Sequence, residues 1–183
     1  MIINTSHLRK NYTIKDMSYL DGDEASILYK TKADIIKNRN LKNIIDVGCR
    51  TGEVNRYLKD YDYWYYGFDT SEEPIKYAIT KYPDQLFEVN DWDNLKNPFN
   101  GFGVDVVIFG SLLQYDKDSI GLFERICNFY NPKRAIVHEV NNKNKEDLKY
   151  VDLNYFNKYE SYKYEFELNI PVGYRTIIDV QYQ

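Results

Sequence analysis

Three acids, each placed after a short apolar run, carry the most legible chemistry in this sequence. Asp46-Val47-Gly48-Cys49-Arg50-Thr51-Gly52 follows Ile44-Ile45 and leads into a glycine loop. Gly48 lets the backbone turn tightly and approach a ligand closely; the rival reading is an ordinary strand-to-helix turn, where glycine is common. A dinucleotide fingerprint needs glycines at the third and sixth positions counted from Gly48. Arg50 and Glu53 stand there, so an NAD-type loop fits poorly. Tyr66-Gly67-Phe68-Asp69-Thr70-Ser71 repeats the strand-then-acid arrangement one unit later. A carboxylate at that place can accept hydrogen bonds from both hydroxyls of a ribose; the alternative is a helix-capping aspartate. Val89-Asn90-Asp91-Trp92 is a third such end, and its plain alternative is a loop aspartate beside a core tryptophan. His138 and Glu139, with Ser111, Gln114 and Tyr115, end two further apolar runs. His138 is a candidate general base for a hydroxyl acceptor, set against a strand histidine satisfied in the core.

The elements that must position these residues alternate. Asp23 to about Lys37 reads as a helix, with Ile27/Leu28 and Ile35/Ile36 two turns apart on one face. Leu41–Val47, Tyr63–Phe68, Gln85–Val89, Val104–Phe109 and Arg134–Val140 read as strands. Between them Glu53–Lys59, a segment after Thr70 and Glu73 (capping-box spacing) and Ser119–Phe129 read as helices. Ile75, Ala78, Ile79 and Tyr82 mark the inner face of the second of these, and Asn131-Pro132 ends the third. Lys145–Tyr159 is expected to be a further helix. Tyr162, Tyr164, Phe166 and Leu168 alternate with charged residues, Pro171-Val172-Gly173 supplies a turn, and Thr176–Tyr182 is a last strand. Alternating strands and helices predict a parallel sheet covered on both faces, with ligands outside the carboxyl ends of its strands.

Taken together, these motifs resemble class I S-adenosylmethionine-dependent methyltransferases. Asp46 to Gly52 is similar to that family's acid-x-Gly-x-Gly-x-Gly loop, with Arg50 in the place of the middle glycine; a side chain there must point away from the cofactor or touch its carboxylate. The resemblance runs from about Ile44 to the last residue. It implies a Rossmann-like three-layer αβα sandwich with a seven-stranded, mostly parallel sheet and a C-terminal antiparallel hairpin. It implies S-adenosylmethionine as cofactor, its methionine part wrapped by the loop of Asp46, Gly48, Cys49, Arg50 and Gly52. Asp69 and Thr70 would meet the ribose, Asp91 and Trp92 the adenine, and Gly110 the floor of the transfer site. Ser111, Tyr115 and His138 are the candidate catalytic residues on the acceptor side, with Tyr12 and Tyr19 as possible walls. Amino-methylating DNA enzymes carry Asp/Asn-Pro-Pro-aromatic after the fourth strand; Phe109-Gly110-Ser111-Leu112 does not match it.

Composition bounds the rest. The 183 residues suit one domain, with residues 1–40 as an N-terminal lid and helix segment and 41–183 as the cofactor-binding core. The net charge of −4, with Lys and Asp/Glu interspersed, disfavours nucleic acid, which needs concentrated positive charge. Two cysteines, Cys49 and Cys127, share no metal-ligand spacing, so neither a metal nor a disulfide framework is expected. With no signal peptide and no apolar membrane span in view, a cytoplasmic protein is expected. The expected partner is a small-molecule or sugar acceptor, with the oligomeric state open. Two other readings are an inactive cofactor-binding partner module, and a methyltransferase of RNA or protein that needs a partner chain.

Overall fold

The computed structural model describes residues 23–99, 101–140, 151–167 and 174–183. In order, the elements are α1 (Asp23–Asn38), β1 (Asn43–Val47), a 3₁₀ turn (Glu53–Tyr57), β2 (Trp64–Asp69), α2 (Glu72–Lys81), β3 (Leu86–Val89) and β4 (Val106–Gly110). There follow a 3₁₀ turn (Leu113–Tyr115), α3 (Ser119–Tyr130), β5 (Arg134–Val140), a 3₁₀ segment (Leu153–Lys158), β6 (Ser161–Glu167) and β7 (Tyr174–Gln181). The seven strands form one sheet in the order β3-β2-β1-β4-β5-β7-β6. The first five are parallel, and β7 runs antiparallel to both β5 and β6. This is the Rossmann-like arrangement with a terminal antiparallel pair. The strand order reverses at β1, so the connections leaving β1 and β4 run in opposite directions and frame a crevice outside their carboxyl ends.

The period of two along each strand decides which helix each side chain meets. Ile44, Val106, Ile108, Ile136 and Ile177 pack on one face against Leu28, Ala33, Ile35 and Ile36 of α1. Ile45, Val47, Val107, Phe109, Val137 and Ile178 pack on the other against Leu122, Phe123 and Ile126 of α3. By the same alternation Asp46, which follows Ile44 by two residues, and His138, which follows Ile136 by two, stand on the α1 face. Away from the crevice, buried Asp179 of β7 accepts from Arg134 Nε at 2.5 Å and lies 3.4 Å from Arg39 Nε, which pins the end of α1 to the sheet.

Several local expectations change. Ile27 and Ile79 are exposed rather than inward. The chain from Glu53 makes a five-residue 3₁₀ turn rather than an α-helix to Lys59. Gly52 accepts from both the backbone N–H (3.0 Å) and the side-chain amide (2.8 Å) of Asn55, closing the turn at three residues. The helix after β2 is capped one residue later than Thr70, at Ser71, whose hydroxyl makes no cap bond. Asp69 Oδ1 accepts the Ser71 N–H at 2.9 Å. Of the helix expected over Lys145–Tyr159, residues 145–150 lie outside the described residues, and Leu153–Lys158 is 3₁₀, capped by Asp152 accepting from the Asn154 N–H at 3.0 Å. The Pro171-Val172-Gly173 turn also lies outside the described residues.

That 3₁₀ segment carries Phe156, fully buried edge-on to Phe123 with ring centroids 5.0 Å apart. Phe123 further meets Phe109, Tyr155, Tyr159 and Tyr182, so one ring joins α3, β4 and the end of the chain. Phe123→Ala should lower unfolding free energy by about 3–5 kcal/mol, the range for a fully buried large-to-small change. Chemical denaturation followed by fluorescence measures it, and a loss under 1 kcal/mol would contradict this packing.

Candidate functional site

At the end of β1 the chain passes through three left-handed residues at alternate positions: Gly48 (φ 71°), Arg50 (φ 51°) and Gly52 (φ 67°). Arg50 thus adopts the backbone that a glycine would take more easily. The loop is held by β2: the N–H groups of Gly48 and Cys49 both donate to the Phe68 carbonyl, at 2.9 and 3.1 Å. The Arg50 N–H donates to Asp69 Oδ2 at 3.1 Å. Asp69 therefore joins the glycine loop to the start of α2, and each of its oxygens keeps a lone pair for a further donor.

The two loop glycines have different jobs. A Cβ on Gly48 would meet Leu112 Cδ1 at 3.1 Å, so Gly48 faces the crevice between the ends of β1 and β4. A Cβ on Gly52 would meet Phe87 Cε1 at 2.6 Å, so Gly52 faces the protein. Cys49 is buried beside Tyr65, with Sγ turned onto β2 at Gly67. Burial, then the charge of Asp46, push its thiol pKa well up, so it offers no thiolate.

A small cavity of about 40 Å³ lies at the carboxyl ends of β1, β2 and β3. Gly48, Asp69, Thr70, Asp91 and Trp92, five of the expected cofactor residues, line it together with Phe68, Asn90 and Leu112. Asp91 Oδ1 accepts the Asp93 N–H at 2.8 Å, which shapes its loop, and Trp92 is buried in the α3-side core while its surface closes the cavity. Larger hollows of about 610 and 260 Å³ lie at the amino ends of the strands, beside Tyr63 and Trp64. The site is assigned on the convergence of its residues rather than on volume.

On the α1 face of the same crevice lies a buried polar layer. Asp46 accepts from the Tyr65 hydroxyl at 2.9 Å, and burial lifts its pKa to about 6. Lys32 of α1 is buried opposite, its pKa drawn down to about 8 by desolvation and partly restored by Asp46. His138 is buried, and its Nε2 has no hydrogen-bond partner among the described residues. Burial first, then Lys32, Arg175 and Arg50, hold its pKa well below the usual value, so the ring stays neutral. Glu139, on the other face, accepts the Leu113 N–H at 2.9 Å, and burial raises it to about 8.

The acceptor-side candidates come from adjoining strand ends. Ser111 (φ 55°) donates its N–H to the His138 carbonyl at 2.6 Å, and its own carbonyl accepts from the buried Gln114 amide at 3.0 Å. Gly110 pairs with His138 across β4 and β5. Tyr115 closes the following 3₁₀ turn, half-buried. Tyr12 and Tyr19 lie outside the described residues. Lys32, Leu112 and Asn90 were missed in the sequence. The signal for Lys32 was available: it stands among Leu28, Ile35 and Ile36, on the stripe that α1 buries.

A methyltransferase-domain family model matches residues 25–166, which spans α1 through β6. The chain belongs to the methyltransferase-domain family. No curated protein matches its sequence. Among solved structures it is similar to magnesium protoporphyrin IX methyltransferase from Synechocystis PCC 6803 with bound S-adenosylmethionine: 15% identity, 99% of this chain and 98% of that one, TM-score 0.70. It is also similar to the N-methyltransferase NodS from Bradyrhizobium japonicum WM9 in complex with S-adenosylhomocysteine: 11% identity, 98% of each chain, TM-score 0.77. At these identities the likeness establishes the fold. No helix among the described residues of this family member is long and apolar enough to cross a membrane.

Because Gly48 combines a left-handed backbone with the close approach of Leu112, Gly48→Ala should destabilise the fold by at least about 1 kcal/mol. Gly52→Ala should do more, at least about 2 kcal/mol, since Phe87 must also move. Paired melts should show that order, and equal effects would mean that the two glycines share one environment.

Proposed function

We propose that the chain is an S-adenosylmethionine-dependent methyltransferase acting on a hydroxyl or amine of a small molecule or sugar. The observation that carries the reading is the convergence of Gly48, Asp69, Thr70, Asp91 and Trp92 on one cavity at the sheet's carboxyl edge. Cofactor complexes of the similar enzymes from Synechocystis and Bradyrhizobium agree with it.

The residues fit an adenosyl ligand chemically. Asp69 keeps acceptor capacity for two ribose hydroxyls, Asp91, which lines the same cavity, would accept from an exocyclic amine, and Trp92 and Phe68 give the cavity apolar surface. The cavity is far below the roughly 300 Å³ at which ligand sites begin, so a nucleoside enters only as the cleft widens, and Leu112, which lies over Gly48, is the lining side chain between them. When bound, the cofactor supplies an electrophilic methyl on a sulfonium sulfur. The chain's own part is then to hold the acceptor in line, which supplies most of the rate. For a hydroxyl acceptor, His138 Nε2 is a neutral base with no hydrogen-bond partner among the described residues, and Tyr115 is the further candidate, from the turn after β4. Ser111, Gln114 and Tyr115 offer neutral polar and aromatic groups to a small polar acceptor, beside the positive charge that Lys32, Arg175 and Arg50 bring to His138.

S-adenosylhomocysteine at a hundred times its dissociation constant should stabilise the fold by about 2.7 kcal/mol, a melting shift of about 5–11 °C for this length. Absence of a shift at millimolar ligand would end the proposal. Asp69→Ala should weaken that binding at least about tenfold, since each charge-assisted bond contributes about 1.5–3 kcal/mol; isothermal calorimetry reads this directly.

The base assignment has a pH signature. The folded pKa of His138 lies below its ordinary value, so the basic form persists as pH falls through about 6.5. With cofactor and acceptor saturating, turnover should show no histidine step near about pH 6.5 beyond what Asp46 (about 6), Lys32 and Glu139 (about 8) impose, and His138→Ala and Tyr115→Phe should lower it with S-adenosylhomocysteine affinity unchanged. A step near about pH 6.5 that persists in Asp46→Asn, or variants that lose cofactor affinity instead, would remove His138 from the role of base.

A further inference from the structure

The most exposed apolar side chains of this protein are gathered rather than scattered. Among the described residues Phe102 (73% exposed), Trp64 (69%) and Leu86 (52%) are the three most exposed large hydrophobics, and all three line one hollow of about 260 Å³. The hollow lies at the amino ends of the strands. Asn43, Trp64 and Leu86 are the first residues of β1, β2 and β3, and Pro98, Phe99 and Phe102 close it from the segment before β4. By the alternation of β2, Trp64 shares a face with Tyr66, which is packed in the α3-side core, as is Phe99. The apolar core therefore runs out to solvent here. Single exposed hydrophobics are ordinary, but a contiguous group of them marks an interaction surface.

The patch has both a hole and a projection. The Asn43 amide donates to the Gly103 carbonyl at 2.7 Å, and the Phe102 N–H donates to the Phe99 carbonyl at 2.9 Å, so the turn that carries Phe102 is fixed to the sheet. A Cβ on Gly101 or on Gly103 would meet nothing within 4 Å, so Phe102 stands clear of its neighbours in the chain. A cavity of about 150 Å³ holds a benzene ring, and the hollow, at about 260 Å³, admits the ring of a phenylalanine. The charged groups beside it come in pairs of opposite sign: Lys42 is 4.0 Å from Asp62, Lys133 is 2.6 Å from Asp105, and Lys96 is paired with Glu88. Such a rim does not repel an identical rim, and it lacks the uncompensated positive charge that an anionic lipid surface attracts. Among the described residues β3 is the outer strand on this side, so the sheet edge beside the hollow is open to a second molecule.

We propose that this patch is the contact of a two-fold dimer of the chain, in which Phe102 of each copy enters the hollow of the other beside Trp64 and Leu86. A surface that carries both a projecting ring and a hole for it is self-complementary, which is what a two-fold contact requires. Aromatic anchors inside a rim of paired charges also match the anatomy of stable interfaces. Phe102 is already held in its turn, so little ordering is lost on association. The contact lies at the opposite ends of the strands from Gly48, Asp69 and Asp91, so the candidate site of each copy stays uncovered.

The test is analytical ultracentrifugation of the full chain from micromolar to submillimolar concentration, with tryptophan emission read on the same samples. The wild type should pass from monomer to dimer. Its emission should move to shorter wavelength along the same curve, because Trp64 loses water on association while Trp92 is buried already. High salt should not dissociate the dimer, since the contact is apolar. Phe102→Ser should weaken association at least about tenfold, and Leu86→Ser should weaken it as well. Both side chains are exposed, so both variants should keep the fold by circular dichroism. Mass and Trp64 emission are the readouts, so the result does not depend on the cofactor reading. A wild type that stays monomeric throughout overturns the proposal, whether its hollow is filled by a segment of its own chain (emission already at short wavelength when dilute) or takes up an added apolar ligand. A dimer that is equally strong in Phe102→Ser and Leu86→Ser overturns it too, because the contact then lies elsewhere, and so does a dimer that salt dissociates.

Discussion

The carboxylate of Asp69 organises the whole carboxyl edge of the sheet. One oxygen accepts the N–H of Arg50 in the glycine loop, and the other accepts the N–H of Ser71 at the start of α2. The backbone carbonyl of the same residue accepts the Asn90 N–H at 3.0 Å, which brings in the loop after β3. Three loops that are distant in sequence thus converge on one residue at the end of β2. Charge-assisted bonds to backbone N–H groups are among the stronger ones available, and here they fix the separation of the loops that line the cavity. Asp69 thus closes a turn onto Ser71, the cap residue of α2, and crosslinks it to the glycine loop, with acceptor capacity to spare.

The second organising feature is an unequal distribution of buried charge. At the amino side of the sheet, Asp179 is set between Arg134 and Arg39, a compact arrangement that pins α1 to β7. At the carboxyl side, Lys32, Asp46 and His138 are buried in looser array, with Asp46 raised to about 6 and Lys32 lowered to about 8. Desolvation moves acid and base pKa values toward each other because it penalises both charged forms. Such incompletely compensated groups lower stability, and they cluster where ligands are handled. Here they stand at the sheet edge where ligands of this architecture bind, while the α1 face between the two charged ends is apolar, with Ile, Leu, Val, Ala33 and Tyr65.

The middle position of the glycine loop shows how local geometry can outlast a residue type. Arg50 takes φ 51°, so the loop keeps three alternating left-handed residues with only two glycines. A left-handed conformation costs a residue with a Cβ about 1–2 kcal/mol. The bond from its N–H to Asp69 helps to hold it there. Gly52, by contrast, is required by the Phe87 ring against it rather than by an open crevice.

Much of this was legible in the sequence alone. Strand positions followed from apolar runs such as Val104–Phe109, the parallel order from strand–helix alternation, and the acids at the ends of β1, β2 and β3 from their spacing. These are local signals, carried by periodicity over a few residues. What depended on distant partners was out of reach. The 3₁₀ turn at Glu53–Tyr57 is set by Asn55, whose amide donates to Gly52 and whose carbonyl accepts from Tyr63 at 2.9 Å. The 3₁₀ segment at Leu153–Lys158 is set by Phe156 reaching Phe123. The apolar stripe of α1 marks Lys32 as buried, but that it is buried near Asp46 and His138 depends on how α1 packs on the sheet, and no local pattern encodes where a helix and a strand end will meet. The sequence determined the elements, the order of acids along the strand ends and the family they resemble. Tertiary structure decided which charges lost water together, because desolvation depends on every neighbour packed around a group, not on the few that adjoin it in the chain.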